Sequence, residues 1–473
     1  MSATIPQLAA PPVKRIPASL DVDRTRRLRR RRLASDLLVI AFWASGAVAA
    51  SLYLASGGMA DWTSLGGVIT GLGILAGLIG SDFVLVMLVL AARVPALDAT
   101  IGHDRAVALH RRLGKPALYL LLGHGLLLLV GYALTAQLDL VSQFVQLWEL
   151  PDMPLAFLSI ALFVAVVVTS LVAVRRRFPY EFWYVIHLLS YVAVLTALPH
   201  QLSVGSVLAD GTVQRGYWIG LYLVAGATIL VFRVLEPLIQ SARHGMRVER
   251  IEWIAPDVAS LHLSGRRLDR LGARGGQYFF WRFWSARTWW HAHPISLSAE
   301  PTRSRARVTV RVLGAGTGRV TSVAPGTRVT FSGPFGLFTD AARTSPRLAV
   351  VAAGIGVTPV RALLESGDLA PGEATILLRG STDDALFLAD EVRDLALRRG
   401  AHFYLSTGPR GRSGGWLSQA DRNRGVTLRS AFPDLASSDL YICGPQDWTD
   451  AVLLEAHAAG VPDDRIHVER FDW

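Results

Sequence analysis

Cysteine is nearly absent from this sequence, which contains only Cys443 in 473 residues. A single cysteine excludes an intramolecular disulfide, a four-cysteine iron–sulfur cluster and a Cys-x-x-Cys-His haem attachment within the chain. Charged residues are also scarce, at 18% of the sequence against about 25% in ordinary soluble domains. Long apolar runs dominate the chain up to about residue 240, whereas 245–473 has the pattern of a soluble α/β protein. The two halves therefore need separate interpretation.

The net charge of +11 would indicate nucleic acid binding in a soluble protein. Much of this charge lies in residues 1–33, which contain prolines and then arginines and which we interpret as a basic cytoplasmic tail. Next to a membrane span, such a cluster acts as a topology signal and contacts lipid head groups. We therefore expect the lipid bilayer, and no nucleic acid, as a partner.

Six apolar segments are each long enough to cross about 30 Å of hydrocarbon as a helix. Their predicted bounds are 34–56, 66–92, 116–137, 155–174, 182–200 and 217–236. Basic residues are concentrated in the leader, the 93–115 loop, Arg175–Arg177 and the exit past Arg233, which all fall on one side. The positive-inside rule then predicts a multi-pass protein of the plasma membrane with both termini in the cytoplasm.

Two of the apolar segments carry a pair of histidines each, which are His110 and His124 in one and His187 and His200 in the other. The first offset of 14 residues gives about 21 Å of rise on nearly one helix face. The second offset of 13 matches less well in direction, and Pro199 supplies a kink that corrects it. A lone histidine in such a helix is usually a packed polar residue, but four at matching offsets are not expected by chance.

Two helices that offer histidines at two matching depths form two bis-imidazole sites, one above the other. The group that takes two axial imidazoles in a membrane is haem, here held without covalent attachment. We assign His110 and His187 to an inner b-type haem and His124 and His200 to an outer one. Gly123 and Gly125 flank His124 and leave room for a porphyrin, although ordinary helix packing explains each glycine equally well.

The C-terminal half has two patterns. Short β-branched or aromatic segments separated by turn residues predict a small antiparallel β-barrel in 245–342. After Pro346, strands alternate with helices, which predicts a parallel α/β nucleotide-binding domain in 346–473. The expected fold class is thus an all-α six-helix transmembrane bundle over 34–240, followed by these two domains. Four tryptophans match no motif and lie either in barrel packing or against the membrane, namely Trp281, Trp284, Trp289 and Trp290.

Three segments of the predicted barrel occur in order along the chain. They are His293-Pro294-Ile295-Ser296, the run from Arg311 through Gly314 to Thr317, and Gly333-Pro334-Phe335-Gly336. Each alone is compatible with a turn, but together they resemble the FAD-binding segments of the ferredoxin–NADP reductase superfamily. The resemblance implies that His293 faces the FAD phosphate, that Ser296 reaches flavin N5, and that the second segment holds the pyrophosphate. It also implies that the terminal Trp473 covers the flavin, whereas Ile295 departs from the family's aromatic residue.

A glycine-rich loop, Gly354-Ile355-Gly356-Val357-Thr358-Pro359, follows an apolar strand and opens a helix. Glycines let a pyrophosphate approach the backbone, the helix N-terminus favours its charge, and proline suits the first helical turn. The loop resembles the pyridine-nucleotide loop of the same superfamily. The resemblance assigns further nucleotide contacts to Arg379, Ser381, Arg410, Arg412, Cys443, Gly444 and Pro445. The arginines favour a 2′-phosphate, hence NADPH over NADH, with a solvated basic loop as the alternative.

Taken together, residues 35–473 resemble the ferric reductase/NADPH oxidase superfamily. The resemblance implies that NADPH reduces FAD beside Ser296, Cys443 and Trp473, and that electrons then pass through the inner and outer haems to an external acceptor. We expect a ferric chelate as the acceptor, because Leu128 stands where dedicated oxidases have a histidine and the first span lacks an arginine. Reduction of O₂ to superoxide, transfer to another membrane protein or a quinone, and a nucleotide-regulated channel or transporter remain alternatives. The sequence does not indicate an oligomeric state.

Overall fold

The computed structural model describes residues 18–175, 177–178, 180–411 and 414–470. Two compact units are present. The membrane unit consists of Ala34–Leu97 and His103–Arg233, and the C-terminal unit is built mainly from the chain after Val234. The roles predicted for residues 1–17, Arg412 and Trp473 fall outside the described residues and stay predictions.

The first half of the described chain is helical. Its helices are α1 (Ala18–Ala55), α2 (Leu65–Ala91), α3 (Pro95–Ile101), α4 (His103–Ala136), α5 (Leu140–Glu149), α6 (Met153–Ser170), α7 (Val172–Arg175), α8 (Tyr180–Ser203), α9 (Val213–Ile229) and α10 (Glu236–His244). Six stretches are long and apolar enough to cross a membrane: Arg29–Ala55, Leu65–Ala91, His103–Ala136, Met153–Ser170, Phe182–Ser203 and Val213–His244. The prediction of six membrane spans is confirmed as far as helix length and composition are concerned.

The third span begins earlier than predicted. The segment 93–115 was expected to be a loop, but it contains α3 and the first turns of α4. The loop prediction was wrong because Arg105, Arg111 and Arg112 lie on a helix of 34 residues, which at about 1.5 Å per residue is longer than the hydrocarbon is thick. As a result, His110 and His124 lie on one uninterrupted helix, with Pro116 inside it.

Glycines bring α2 against α4. A Cβ atom added at Gly73 would lie 3.0 Å from Leu128, and one added at Gly80 would lie 3.1 Å from Leu120. Small residues let helix backbones approach closely where the lipid supplies no hydrophobic drive for association. This close approach places backbone carbonyls of α2 within reach of side chains on α4.

The first part of the C-terminal unit contains two antiparallel sheets. Its strands are β1 (Arg247–Ala255), β2 (Val258–Ser264), β3 (Tyr278–Phe283), β4 (His293–Ser296), β5 (Arg305–Arg311) and β6 (Val329–Phe335). The sheet orders are β1-β2-β5 and β4-β3-β6. Isolated antiparallel bridges join the two sheets, between Arg247 and Arg328 and between Leu297 and Val308, without a continuous closed barrel among the described strands. Both sheets nevertheless contribute to one core, in which Leu261 and Val308 pack with Trp281. The predicted antiparallel strands around one core are thus confirmed, and closure of the barrel stays a prediction.

The second part of the unit is a parallel sheet with helices. It contains α11 (Ala315–Val320), β7 (Arg347–Ala353), α12 (Val357–Ser366), β8 (Ala374–Gly380), α13 (Ala389–Arg398), β9 (His402–Thr407), α14 (Gln419–Asn423), α15 (Leu428–Ala431), β10 (Ser438–Gly444), α16 (Gln446–Ala458) and β11 (Ile466–Arg470), where α11 precedes the sheet. The strand order is β11-β10-β7-β8-β9, and each neighbouring pair is parallel. The carboxyl ends of these strands are where ligands bind in open α/β sheets.

Candidate functional site

His110 on α4 and His187 on α8 face each other in the membrane unit. Their ring centroids are 6.0 Å apart, with the ring planes at 62°. Two metal–imidazole bonds of about 2.0 Å each, with the ring radii added, require centroids roughly 6 Å apart. The separation of the two rings therefore fits a metal ion between them.

Backbone carbonyls of α2 orient both histidines of α4. His110 Nδ1 lies 3.1 Å from the carbonyl oxygen of Met87, and His124 Nδ1 lies 2.9 Å from that of Gly73. A carbonyl only accepts, so Nδ1 carries the proton and Nε2 keeps the lone pair that a metal needs. The two carbonyls are 14 residues apart, the same offset as the two histidines. The helix pair thus repeats one imidazole-orienting contact at two depths.

The histidines of α8 are held differently. The Nδ1 atoms of His187 and His200 are buried and have no hydrogen-bond partner among the described residues. The Trp183 ring stacks on His187 at 5.0 Å and 30°. Each proposed pair therefore combines one imidazole oriented by a carbonyl with one held mainly by packing.

A cavity of about 570 Å³ contains the other histidine pair. Both His124 and His200 line it, together with Gly125, Leu128 and Tyr132. This volume is within the range of ligand pockets, about 300–1,000 Å³. The cavity is large enough for a cofactor between the two imidazoles.

The ligand set favours a metal that brings its own equatorial ligands. Within the described residues there is no group of three or more His, Cys, Asp or Glu side chains able to hold a metal ion. A bare structural or catalytic ion in a protein takes three or four such ligands. Two opposed imidazoles are instead the axial set of a haem iron, so the residues present fit the predicted group.

The first predicted flavin segment, His293–Ser296, forms β4. β4 pairs antiparallel with β3, so that Ser296 lies opposite Tyr278. Ser296 is 1% exposed, and its Oγ has no hydrogen-bond partner among the described residues. A buried hydroxyl without a partner costs free energy unless a ligand satisfies it. The orphaned Oγ fits a flavin edge at this position.

His293 lies beside the predicted pyrophosphate segment. Its Cε1 would be 3.7 Å from a Cβ added at Gly316, and its ring stacks on His291 at 5.0 Å. Burial, with a smaller contribution from His291, lowers the pKa of His293 to about 4. The side chain is therefore a neutral hydrogen-bonding group at pH 7 in this structure. The predicted contact of His293 with the FAD phosphate stays a prediction.

The second predicted flavin segment, from Arg311 to Thr317, is partly exposed, and its conformation is held by hydrogen bonds within the chain. The Thr317 hydroxyl accepts a hydrogen bond from the backbone N–H of Leu313 at 2.9 Å. Arg311 Nε donates to Asp257 Oδ2 at 2.8 Å, so this predicted phosphate contact already forms an ion pair. A Cβ added at Gly333 would approach Phe279 to 2.8 Å, which explains glycine in the closing turn.

The two predicted nucleotide motifs meet at the ends of β7 and β10. A Cβ added at Gly356 would lie 2.2 Å from the carbonyl oxygen of Cys443, so the loop and the Cys443 segment are in direct contact. Burial raises the pKa of the Cys443 thiol well above its usual value, with Glu469 adding to the shift. Cys443 is therefore a neutral thiol that shapes the site rather than a thiolate nucleophile.

The arginines predicted to read the 2′-phosphate are not equivalent. Arg379 is 4% exposed and donates to the carbonyl oxygens of Ser406 and Gly408, and burial lowers its pKa. Arg410 is half-buried and donates through Nε to Gly415. Ser381 is exposed. Arg410 is thus better placed than Arg379 to meet a ligand.

Sequence reasoning missed four groups at these sites. The carbonyls of Met87 and Gly73 are invisible to it because every residue has a carbonyl. Gly77 belongs with them, since a Cβ there would lie 2.4 Å from His124 Nδ1. Glu469 is 3% exposed, and a Cβ added at Gly336 would lie 3.2 Å from its Oε2. The parallel pairing of Glu469 with Cys443 became apparent only with β11, which was not predicted.

The transmembrane part matches a family model described as ferric reductase like transmembrane component, over residues 76–198. That range contains His110, His124 and His187 and ends two residues before His200.

Three curated relatives extend the comparison to the C-terminal unit. The ferredoxin reductase component of a 3-ketosteroid-9-alpha-monooxygenase from Mycolicibacterium smegmatis is 29% identical over 211 residues, which cover 43% of this chain and 57% of the relative. Ferredoxin–NADP reductase B from Sorangium cellulosum is 33% identical over 174 residues, covering 34% and 68%. A probable metalloreductase from Yarrowia lipolytica is 26% identical over 274 residues, covering 57% and 47%. The chain thus spans little more than half the length of the first of these relatives.

Proposed function

The chain belongs to the family in which a ferric reductase-type transmembrane domain is fused to a ferredoxin–NADP reductase-like domain, and from this premise we propose that it is a transmembrane oxidoreductase. It takes electrons from cytosolic NADPH and passes them through FAD and two b-type haems to an extracytoplasmic acceptor. The acceptor we favour is a ferric chelate. In this orientation the basic loops and both termini face the cytoplasm.

The paired imidazoles carry this proposal. The 6.0 Å separation of the His110 and His187 rings and the two α2 carbonyl contacts supply what axial haem ligation requires. Haem, when bound there, accepts and passes on one electron at a time, so a flavin is needed to divide the hydride's two electrons.

The chain's own residues perform the binding and positioning. The loop from Gly354 to Pro359 presents backbone N–H groups to the nucleotide pyrophosphate at the start of α12. Ser296 supplies a buried hydroxyl toward the flavin, and Cys443 closes the nicotinamide side as a neutral thiol. The membrane helices exclude water from the imidazole sites and fix their two depths.

Reduction of O₂ is the second candidate for the final step. The cavity at His124 and His200 has Leu128 in its wall, and no polar side chain stands at that position to bind oxygen. This favours outward transfer to a larger acceptor over an oxygen site beside the haem.

A reduced-minus-oxidised optical spectrum of the purified full chain, with NADPH added under nitrogen, tests the proposal. We expect b-type bands at two haems and one FAD per chain. Adding a ferric chelate or air then identifies the faster acceptor. A colourless protein would overturn the proposal and favour a nucleotide-regulated channel or transporter. Flavin bleaching without haem bands would assign the four histidines a structural role.

A further inference from the structure

Asp82 is a carboxyl buried in the second membrane span, away from the histidines. It is 1% exposed and lies nine residues before the end of α2. Ser45 Oγ on α1 donates to its Oδ1 at 2.6 Å, and its Oδ2 has no hydrogen-bond partner among the described residues. A carboxyl group inside a bilayer is costly and indicates a function by default.

Along α2, Asp82 lies between the two residues whose carbonyls contact the α4 histidines. Asp82 is five residues from Met87 and nine from Gly73, whose carbonyls bind the two α4 histidines. At about 1.5 Å per residue, it lies roughly 7.5 Å from one level and roughly 13.5 Å from the other along the helix axis. The face of α2 that packs on α4 is lined by Gly73 and Gly80, and Asp82 points to the other side. It is therefore at an intermediate depth but shielded from direct contact with the imidazoles.

The neighbours of Asp82 carry no formal charge in the described contacts. On α1 it meets Ser45 and approaches Gly46, and on α9 Tyr217 interacts with both Ser45 and Asp82. On the α4 side of α2, Leu120 packs against Gly80. Tyr217 is thus the one titratable neighbour recorded among these contacts. One hydroxyl donor does not compensate a carboxylate in a low-dielectric interior, so the ionised form needs a positive charge nearby.

We propose that Asp82 is a proton-binding site whose occupancy follows the oxidation state of the two histidine-ligated centres. This inference rests on the proposed function, because the positive charge is that of a ferric haem with neutral axial imidazoles. With haem bound there, one electron from NADPH would cancel that charge, and Asp82 would take up one proton (H⁺) from the aqueous phase, forming an O–H bond. When the electron leaves for the acceptor, Asp82 releases the proton. The summed charge of the histidine-ligated centres and Asp82 is then the same before and after the electron arrives.

Redox titration of the haem bands at several pH values tests this coupling in the full chain. A tenfold change in an equilibrium constant corresponds to about 59 mV for one electron. Full coupling therefore lowers the midpoint potential by up to that amount for each unit by which the pH rises, and this is the slope that the titration measures. We expect Asp82→Asn, which keeps the shape and the Ser45 contact, to lose most of this slope. Asp82→Glu keeps a carboxyl group and retains the slope. Thr135→Val, which removes a hydroxyl bonded within α4, is the matched control and leaves it unchanged.

Infrared difference spectroscopy of the wild-type chain gives a second measurement that needs no variant to fold. Reduction is expected to produce a protonated-carboxyl C=O band, which is absent in Asp82→Asn. A chain with two haems whose potentials do not depend on pH, a slope unchanged in Asp82→Asn, or no carboxyl band on reduction would each overturn the inference while leaving the proposed function standing. Absence of haem bands would instead overturn the proposed function.

Discussion

The membrane unit and the C-terminal unit present their candidate ligand groups in different ways. The membrane unit offers four side chains at fixed positions on two helices, and two of them are oriented by α2 carbonyls. The C-terminal unit offers mainly backbone, in the loop at Gly354–Gly356 and in the segment at Gly314, with side chains such as Arg410 in support. A site made of axial side chains should fail completely when one is removed, whereas a site made of many backbone contacts should weaken by degrees.

The largest effect is expected for the axial histidines. His110→Ala and His187→Ala should each remove the same haem, so that haem content falls from two to one per chain while FAD is retained. Transfer from NADPH to the external acceptor should then stop, because the electron path is interrupted. Pyridine haemochrome content and flavin content measure this. His262→Ala, at a hydrogen bond with Glu252 in the C-terminal unit, is the control. A variant that kept both haems would contradict the expectation that the membrane site fails completely when one side chain is removed.

Gly77→Val should cause a loss of haem nearly as large as that of the histidine variants. A Cβ at Gly77 would lie 2.4 Å from His124 Nδ1, the atom that bonds to the Gly73 carbonyl. Displacing this imidazole should remove the outer haem and spare the inner one. Gly226→Val on α9 is the matched control, since a Cβ there meets nothing within 4 Å. Equal haem loss in both variants would mean that α2 does not orient the ligand.

The contrast between the units also explains what the sequence revealed. The four histidines were recognisable because helix geometry converts an offset of 14 residues directly into depth and direction. The carbonyls of Met87 and Gly73 were not, because a carbonyl becomes a ligand-orienting group only through the packing of α2 on α4. The six spans and the parallel sheet were predictable from hydrophobic pattern, whereas the extension of α4 back to His103 was hidden by its polar residues.

In the C-terminal unit, motif resemblance located residues but did not give their side-chain environment. Arg379 is turned inward to the carbonyls of Ser406 and Gly408, and His293 is buried and neutral. Both facts depend on tertiary contacts that a motif does not encode. Closure of the predicted barrel stays a prediction for a related reason, because strand pattern predicts pairing but not closure, and the two sheets are joined only by isolated bridges.

A graded effect is expected at Arg410. Arg410→Gln should lower kcat/KM for NADPH about tenfold, since a hydrogen bond to a charged group contributes about 1.5–3 kcal/mol, and should leave NADH almost unchanged. Steady-state rates with both coenzymes measure the ratio. Arg393→Gln, at an exposed pair with Asp390, is the control. An equal loss with both coenzymes would place Arg410 away from the 2′-phosphate.

The smallest effect concerns the pH dependence of flavin retention through His293. Its pKa is about 4 in the folded chain against about 6.5 when exposed, so the unfolded state binds a proton first as the pH falls. The stability due to the neutral imidazole is complete above pH 6.5 and is lost between 6.5 and 4, at up to about 1.4 kcal/mol per pH unit. Heating the full chain while following flavin fluorescence should therefore show release at lower temperature on acidification, with a shallower dependence in His293→Gln. If acidification instead stabilised the wild type relative to His293→Gln, the FAD phosphate would be charging the imidazole. His293 would then act as a side-chain ligand, as the histidines do in the membrane unit, but in its charged form.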